Sequence, residues 1–207
     1  MPRHGRAAEG RQNGGVIAEE LRRRVVADSS DRPAWLRARS RGITATDAAR
    51  LATDASVDQA VHAKRYGTGF TGNAFTEHGK RREPQIAAWV RAHHGLNPSS
   101  LLFHAAGSME HLATPDGMIL RPSGRLELAE IKTTTKPWRS IPRSYLRQVW
   151  WQQYVLGAER TLVVWEQHRD FVPVEDEPRC RWVDRDENEI ELLVRRADAV
   201  LARLHAA

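Results

Sequence analysis

The sequence predicts a mixed α/β domain in which a small sheet follows a helical N-terminal layer. Apolar residues recur at helical spacing through the first part of the chain, and three short apolar runs bounded by Gly, Pro and Ser then follow. A helix, a buried strand and an amphipathic helix complete the order. The 207 residues, 41% of them hydrophobic, are enough for one domain with a sizeable core.

Five helices are expected before the strands. Their apolar residues lie three and four positions apart, and their ends carry residues that cap or break helices. Thr44 is a predicted N-cap, and Gly67 and Gly69 end the fourth helix. Pro84 lies inside the fifth helix, where it either begins the regular part or kinks it. The five segments are residues 16–27, 31–42, 44–51, 57–65 and 75–94.

Strands and two further helices are expected in the rest of the chain. A helix with a proline at its start and a glycine at its end precedes a buried strand, and a strongly amphipathic helix closes the chain. The strands are residues 100–104, 117–120, 126–133, 160–168 and 180–183, the last at a sheet edge. The helices are residues 142–157 and 188–205.

Composition and charge limit the classes of protein. The only cysteine, Cys180, excludes an internal disulfide, a multi-cysteine zinc site and a four-cysteine iron–sulfur cluster. No apolar run reaches the roughly 18–20 residues of a membrane helix, and no secretory signal is present, so we expect a cytoplasmic protein without a membrane partner. A net charge of +6 favours a polyanionic partner. Residues 1–14 are expected to form a disordered basic arm and residues 15–207 a single domain.

The segment TPDGMILRPSGRLELAEIKT carries the chemistry. Its pattern predicts a hairpin that turns at Pro122–Gly124, and a three-residue turn places Asp116 directly across from Glu130. Like charges that face each other on a sheet repel, and without a cation one carboxylate would take up a proton. A divalent metal removes both problems. Because the ligands are oxygens, Mg²⁺ or Mn²⁺ is favoured over zinc.

Lys132 completes this group of charges. Glu130 and Lys132 are two positions apart and point to the same face of the strand, whereas the Ile131 side chain points into the core and leaves its carbonyl able to reach the metal. A lysine beside two carboxylates can orient an attacking water or stabilise a pentacovalent phosphate, so the group suits phosphodiester hydrolysis. An acid two positions from a lysine is by itself common on a solvated strand face, and Pro–Asp–Gly is a common turn.

Five motifs in order raise the weight of the functional interpretation. Together they resemble the YqaJ-type viral recombinase (phage lambda exonuclease) family of the PD-(D/E)XK nuclease superfamily, over roughly residues 35–168. The motifs are Trp35 and Arg39 leading into GITATDAARL (42–51), HGKRREP (78–84), ATPDGM (113–118), AEIKT (129–133) and YLRQVWWQQYVLG (145–157).

The resemblance implies a restriction-endonuclease-like core with a magnesium or manganese site. Asp116, Glu130 and the Ile131 carbonyl are its expected ligands, with Lys132 as the catalytic ammonium group. Glu83, on the helix before the sheet, is implied to join the metal shell. From the residues alone, a glutamate on an amphipathic helix is more often a surface charge.

The helix of the last motif carries Tyr145, Gln148 and Gln152 on one polar stripe. The resemblance makes Gln148 an active-site residue that contacts the water, the lysine or the scissile phosphate, with Tyr145 and Gln152 nearby. Without it, the helix is an ordinary sheet-covering helix with a wet face. Trp150 and Trp151 cannot share one side of this helix, so we expect one in the core and the other able to contact DNA or a partner subunit.

A second anion site is implied by the same resemblance. Arg39, Thr46 and Thr114 match positions that hold a terminal 5′-phosphate, and an arginine beside hydroxyl groups suits that task. The family more usually has serine where this chain has Thr46. A further basic residue is expected after the Glu–x–Lys motif. Arg139 is the candidate, but its spacing is off by one and Trp138 takes the matched place.

The function implied is a Mg²⁺-dependent exonuclease that digests linear double-stranded DNA from 5′ ends during phage-type recombination. A single-strand annealing protein would take the 3′ overhang, a homotrimer would give processivity, and the setting would be a bacterial or phage-infected cell. The alternatives are an end-independent endonuclease or repair nuclease on the same core, and a catalytically silent DNA-binding protein. A Cas4-like cluster-bearing nuclease is contradicted by the single cysteine.

Overall fold

The computed structural model describes residues 17–67 and 73–206, which form seven helices and ten strands. The mixed α/β class is as predicted, but the strands are twice as many as the five predicted. The sequence analysis did not predict the strands Val25–Asp28, Ile43–Thr44, Asn97–Pro98, Ser108–Ala113 and Val172–Pro173. The basic arm predicted for residues 1–14 and the predicted helix-ending Gly69 lie outside these residues. Within them, no helix combines the length and the apolar character that a bilayer span requires.

The helices from the second onward overlap the predicted segments, although the third has four residues where eight were predicted. Asp31 caps the second helix, and Thr44 caps the third in a reciprocal pair with Asp47, as its predicted role required. The long fifth helix runs through Pro84. The helices are α1 (17–23), α2 (Arg32–Ser40), α3 (Ala45–Ala48), α4 (Ala55–Tyr66), α5 (Ala74–His94), α6 (Arg143–Leu156) and α7 (Glu187–His205).

The strands form two mixed sheets. The first has the order β1-β4-β5-β2 and the second the order β10-β8-β7-β6-β3, with β9 paired to β8. The pairs β2–β5 and β7–β8 are parallel. The strands are β1 (Val25–Asp28), β2 (Ile43–Thr44), β3 (Asn97–Pro98), β4 (Leu101–Ala105), β5 (Ser108–Ala113), β6 (Gly117–Leu120), β7 (Leu126–Thr134), β8 (Arg160–Arg169), β9 (Val172–Pro173) and β10 (Arg179–Asp184).

The predicted helix over residues 16–27 is wrong in its second half, where the chain forms β1 against β4. Arg24 explains the change. Its buried guanidinium donates to the carbonyl oxygens of Val155 and Leu156 at the end of α6, at 2.6 and 3.2 Å. This contact satisfies carbonyls that the helix end leaves free, and it fixes the turn between α1 and β1. The helical period in residues 16–27 carries no sign of it.

Helix α6 lies at the centre of the molecule. It packs against β4 and β5 of the first sheet, β8 of the second, and helices α3 and α7. Trp150 and Trp151 are therefore both buried, and their indole N–H groups donate to the carbonyls of Asp184 and Leu112. The expectation that one of them is free to contact DNA or a partner subunit is wrong, because there is packing on both sides of the helix.

The β6–β7 hairpin has the predicted register, with Gly117 paired to Ala129 and Met118 to Leu128. One face of β7 packs on α5, where Ala129 and Ile131 meet Ile86. The other face carries alternate residues toward α6. The two helices thus cover opposite faces of the strand that holds the candidate chemistry.

Gly42 supplies a test of the junction between the layers. An added Cβ would lie 2.2 Å from the carbonyl oxygen of Glu110 on β5. Because that oxygen belongs to the backbone, Gly42→Ala is expected to lower the free energy of unfolding by about 3 kcal/mol, measured by thermal or urea denaturation. Gly107→Ala is the control, since nothing lies within 4 Å of its added Cβ. Equal stability of the two variants would contradict the assigned contact.

Candidate active site

A cleft of about 710 Å³ opens where α2, α3, α5 and α6 approach the β6–β7 hairpin. Most of the predicted site residues line this cleft, including those of the proposed metal site and all but one of those of the proposed 5′-phosphate site. Those on its walls are Arg39, Thr46, Glu83, Thr114, Asp116, Glu130, Ile131, Lys132 and Gln148.

Asp116 lies immediately before β6, opposite the middle of β7. Its backbone N–H donates to the Ala129 carbonyl at 3.1 Å, and its Oδ2 accepts from the Ile131 N–H at 2.6 Å. Burial, followed by the nearby charge of Glu130, raises the pKa of Asp116 well above its usual range. The hairpin register therefore produces the predicted pair of interacting carboxylates, an environment that a cation stabilises.

Glu130 is buried and accepts hydrogen bonds on both of its oxygens. Lys132 and Gln148 donate to Oε1, and the Gln152 amide donates to Oε2 at 2.6 Å. Three donors from β7 and α6 stabilise a charge that would be costly to bury alone. The glutamines predicted from the resemblance thus lie beside the central carboxylate, Gln148 at the cleft wall and Gln152 in the interior behind it.

Lys132 lies between its carboxylate neighbours and an aromatic ring. Its Nζ is 5.1 Å from the centre of the Tyr145 ring. Burial disfavours the charged ammonium group, but the charges of Glu130 and Asp116 outweigh it and raise the pKa of Lys132 above its usual value. These two carboxylates therefore favour the charged form of Lys132, which can orient a phosphate oxygen or a water.

Glu83 reaches the same cleft from α5, the helix on the opposite face of β7. The residue is exposed, as the sequence alone favoured, but partial desolvation in the cleft and the charge of Glu130 both raise the pKa of Glu83. The Ile131 side chain packs in the core against Ile86, as predicted, which fixes the backbone between Glu130 and Lys132. Three carboxylates thus influence one another around the start of β6.

The donor set fits a hard divalent ion. Asp116, Glu130 and Glu83 offer carboxylate oxygens, and Ile131 offers a backbone carbonyl. Across residues 17–67 and 73–206, no three His, Cys, Asp or Glu side chains converge closely enough to form an ion cage by themselves. Oxygen donors of this kind are the ligands that hard divalent ions such as Mg²⁺ and Mn²⁺ prefer over zinc.

The second anion site is built around Trp35. The Arg39 guanidinium lies 4.2 Å from the centre of the Trp35 ring, and the indole N–H donates to the Thr114 hydroxyl at 3.4 Å. Burial lowers the pKa of Arg39, although the guanidinium remains charged. This contact joins α2 to the segment that precedes Asp116. Thr46 lies on the cleft wall in α3.

Arg32 is a cleft residue that the sequence analysis missed. It lines the cleft and lies 5.7 Å from the centre of the Trp35 ring. The available signal was spacing, since Arg32, Trp35 and Arg39 are three and four positions apart and so share one side of α2. A basic and aromatic stripe on one helix face is typical of phosphate binding.

The structure does not place Arg139 with the other predicted phosphate ligands. Arg139 is exposed and, among the described residues, is not part of the cleft wall. The neighbouring Trp138 packs between Tyr145 and Trp165, at ring-centre distances of 5.1 and 5.4 Å. This aromatic packing fixes the segment after β7 and turns Arg139 to the surface.

Comparison with known proteins identifies the family and the fold. Residues 34–159 match the model of the YqaJ-like viral recombinase domain, whereas no curated protein matches the chain. The alkaline exonuclease LHK-Exo from Laribacter hongkongensis is 22% identical, with a TM-score of 0.64 over 83% of this chain and 92% of that one. The structure of LHK-Exo in complex with dAMP is 23% identical, with a TM-score of 0.63 over 82% of this chain and 90% of that one.

A phage related exonuclease from Haemophilus somnus 129PT is 12% identical, with a TM-score of 0.60 over 79% of this chain and 93% of that one. At these identities the solved structures establish a shared fold. The family model covers more than half of the chain and includes every cleft residue named above except Arg32. The chain therefore belongs to the YqaJ-like viral recombinase domain family and has the fold of these exonucleases.

Proposed function

We propose that the protein is a metal-dependent deoxyribonuclease that digests linear double-stranded DNA from its 5′ ends. One observation carries the proposal. The cleft holds the facing carboxylates of Asp116 and Glu130 next to the ammonium group of Lys132. Family membership and a fold shared with exonucleases support it.

Each cleft residue has a role in this proposal. Asp116, Glu130 and the Ile131 carbonyl hold Mg²⁺ or Mn²⁺, with Glu83 as a further or water-mediated ligand. The bound ion would lower the pKa of a coordinated water and neutralise charge on the scissile phosphate. Lys132 holds the phosphate and the attacking water in line.

Gln148 assists Lys132 in positioning the water. Tyr145 and Gln152 hold Lys132 and Glu130 from behind. All of these contacts come from β7 and α6, so they are rigid before substrate arrives.

The second anion site favours an enzyme that starts from ends. Arg39, Thr46 and Thr114 line the same cleft as the carboxylates, so a terminal phosphate and the next scissile phosphate can be held together. An internal phosphate would leave this positive site without its dianionic ligand. We further propose that residues 15–207 act as one nuclease domain, assemble as a homotrimer in a bacterial or phage-infected cell, and pass a 3′ overhang to a single-strand annealing protein.

Catalysis is tested first by Glu130→Ala and Lys132→Ala. Each is expected to lower hydrolysis of linear duplex DNA in Mg²⁺ by at least about 10²–10³-fold, because Glu130→Ala removes a metal ligand and Lys132→Ala removes the cation that holds the reacting phosphate. DNA binding, followed by fluorescence anisotropy, should persist. Lys136→Ala is the control, since this lysine is exposed and lies beyond the cleft. Undiminished turnover of Lys132→Ala would remove the mechanism.

Dependence on ends is tested with linear and covalently closed circular duplexes, in Mg²⁺ and in chelator. We expect digestion of the linear DNA only, with a preference for a 5′-phosphate over a 5′-hydroxyl. Arg39→Gln should reduce that preference by about 10–150-fold, since it removes a charged hydrogen bond of about 1.5–3 kcal/mol. Arg37→Gln, on the exposed side of the same helix, should not.

Cleavage of the closed circle would favour the endonuclease alternative. Binding without cleavage of either substrate would favour a catalytically silent DNA-binding protein. Equal loss of the 5′-phosphate preference in Arg39→Gln and Arg37→Gln would assign it to general charge rather than to the Trp35 site.

Asp116→Asn tests the repulsion between the carboxylates. The folded-state pKa of Asp116 is raised, so its charged form destabilises the metal-free fold at pH values above that pKa. In chelator at pH 8, Asp116→Asn should therefore raise the melting temperature by about 2–4 °C. The gain should shrink as the pH falls toward about 4 and vanish only below about 3, where aspartate is protonated in both the folded and the unfolded state. Mn²⁺ should stabilise the wild type and not the variant, and the reverse ranking would contradict the proposed site.

A further inference from the structure

A buried polar chain lies under the first half of α5. The Arg82 guanidinium donates in a fork to Glu166 on β8, from Nε to Oε1 at 2.8 Å and from Nη2 to Oε2 at 2.6 Å. His168 Nε2 lies 2.8 Å from Glu166 Oε1, and His78 Nε2 lies 2.9 Å from His168 Nδ1. The chain therefore ties His78 and Arg82, one helical turn apart, to alternate residues of β8.

This polar chain abuts the strand that carries Lys132. Thr133, the next residue of β7, pairs with Glu166 in the parallel ladder. A Cβ at Gly79 would lie 3.1 Å from the Thr133 hydroxyl, so α5 sits directly on the end of β7. The motif HGKRREP thus supplies all of these features within seven residues. His78 and Arg82 are the two ends of the polar chain, Gly79 makes the close contact with β7, and Glu83 lines the cleft.

The two halves of α5 are held in different ways. Its second half packs through Ile86 and Val90 against Ile131, which is apolar contact. Apolar packing is not directional, whereas a forked arginine–carboxylate contact has one geometry. No hydrogen bond from another described residue holds the Glu83 carboxylate, so its place in the cleft follows from the rotation and height of the helix.

We propose that Arg82, Glu166, His168 and His78 are positioning residues that aim Glu83 at the metal site. The proposal rests on the metal role of Glu83 in the proposed function. The fork fixes the rotation of α5 at the residue next to Glu83, and the histidine pair fixes its height on the sheet one turn earlier. The four residues do not touch the ion or the DNA.

If the network only stabilised the fold, its loss would lower the melting temperature and leave the metal affinity unchanged. The protein contains a matched control for that case, in a second buried carboxylate that arginine side chains hold. Glu127 lies on β7 at the other end of the sheet, and it accepts from Arg121 at 2.8 Å and from Arg160 at 2.9 and 2.6 Å. It is 2% exposed and Glu166 is 4% exposed, so both are buried carboxylates held by arginine.

The experiment measures Mn²⁺ affinity of the full chain without DNA, by electron paramagnetic resonance of the free ion, together with the Mn²⁺ concentration for half-maximal hydrolysis. Glu166→Gln is expected to lower the Mn²⁺ affinity about tenfold and to raise the Mn²⁺ concentration for half-maximal hydrolysis by about the same factor, as loss of a supporting contact does at other metal sites. Glu127→Gln should change neither, although both variants lower the melting temperature. Arg82→Lys keeps the charge without the fork, and it should give a smaller shift if Glu166→Gln fails to fold.

The variant Glu83→Gln distinguishes failure of the positioning network from failure of the proposed metal role of Glu83. If Glu83→Gln leaves Mn²⁺ affinity unchanged, Glu83 is not a ligand, and both its proposed role and the positioning network are overturned. If Glu83→Gln weakens binding while Glu166→Gln and Arg82→Lys do not, only the positioning network is overturned. The double variant Glu83→Gln/Glu166→Gln should bind as weakly as Glu83→Gln alone, because the network acts through Glu83. Additive losses, or an equal shift in Glu127→Gln, would also overturn it.

Discussion

The register of one hairpin determines the chemistry of this protein. Because Gly117 pairs with Ala129, Asp116 must face Glu130, and the two-residue period of β7 brings Lys132 to the same side. Two carboxyl groups and one ammonium group are thereby held within a partly dry cleft before any ligand arrives. The raised pKa of Asp116 shows that the fold bears a cost there. Binding sites with this property are more stable with their ligand than without it.

The rest of the structure limits the movement of those three groups. Helix α6 lies between the two sheets and brings Gln148 and Gln152 to the oxygens of Glu130. Helix α5 covers the opposite face of β7 and brings Glu83 to the wall of the same cleft. The tryptophans of α6 are buried, which makes this helix a fixed support. Catalytic groups on regular elements with packing on both sides keep their geometry better than groups on loops.

The hairpin could be predicted from the sequence because its determinants are local. A three-residue turn and strand alternation are enough to place Asp116, Glu130 and Lys132, and the helix caps are equally local. The first sheet could not be predicted in the same way. Its strand β1 depends on Arg24 reaching carbonyls about 130 positions away, and β5 depends on neighbours on both sides. The place of Glu83 in the cleft could be predicted only from the family resemblance, since the sequence of a helix does not show what a glutamate on it faces.

The two anion sites stand on different layers of the molecule. Arg39 is on α2, which packs beside β1 and β2 of the first sheet, and Lys132 is on β7 of the second. In the proposed function, one phosphate is held by Arg39 and another beside Lys132. Helix α6 packs against both sheets, so its buried side chains would set the distance between these two phosphates, which the spacing along a DNA strand would have to match. Core packing at α6, remote from the proposed DNA contacts, would therefore help to decide which phosphodiester bond lies next to the carboxylates.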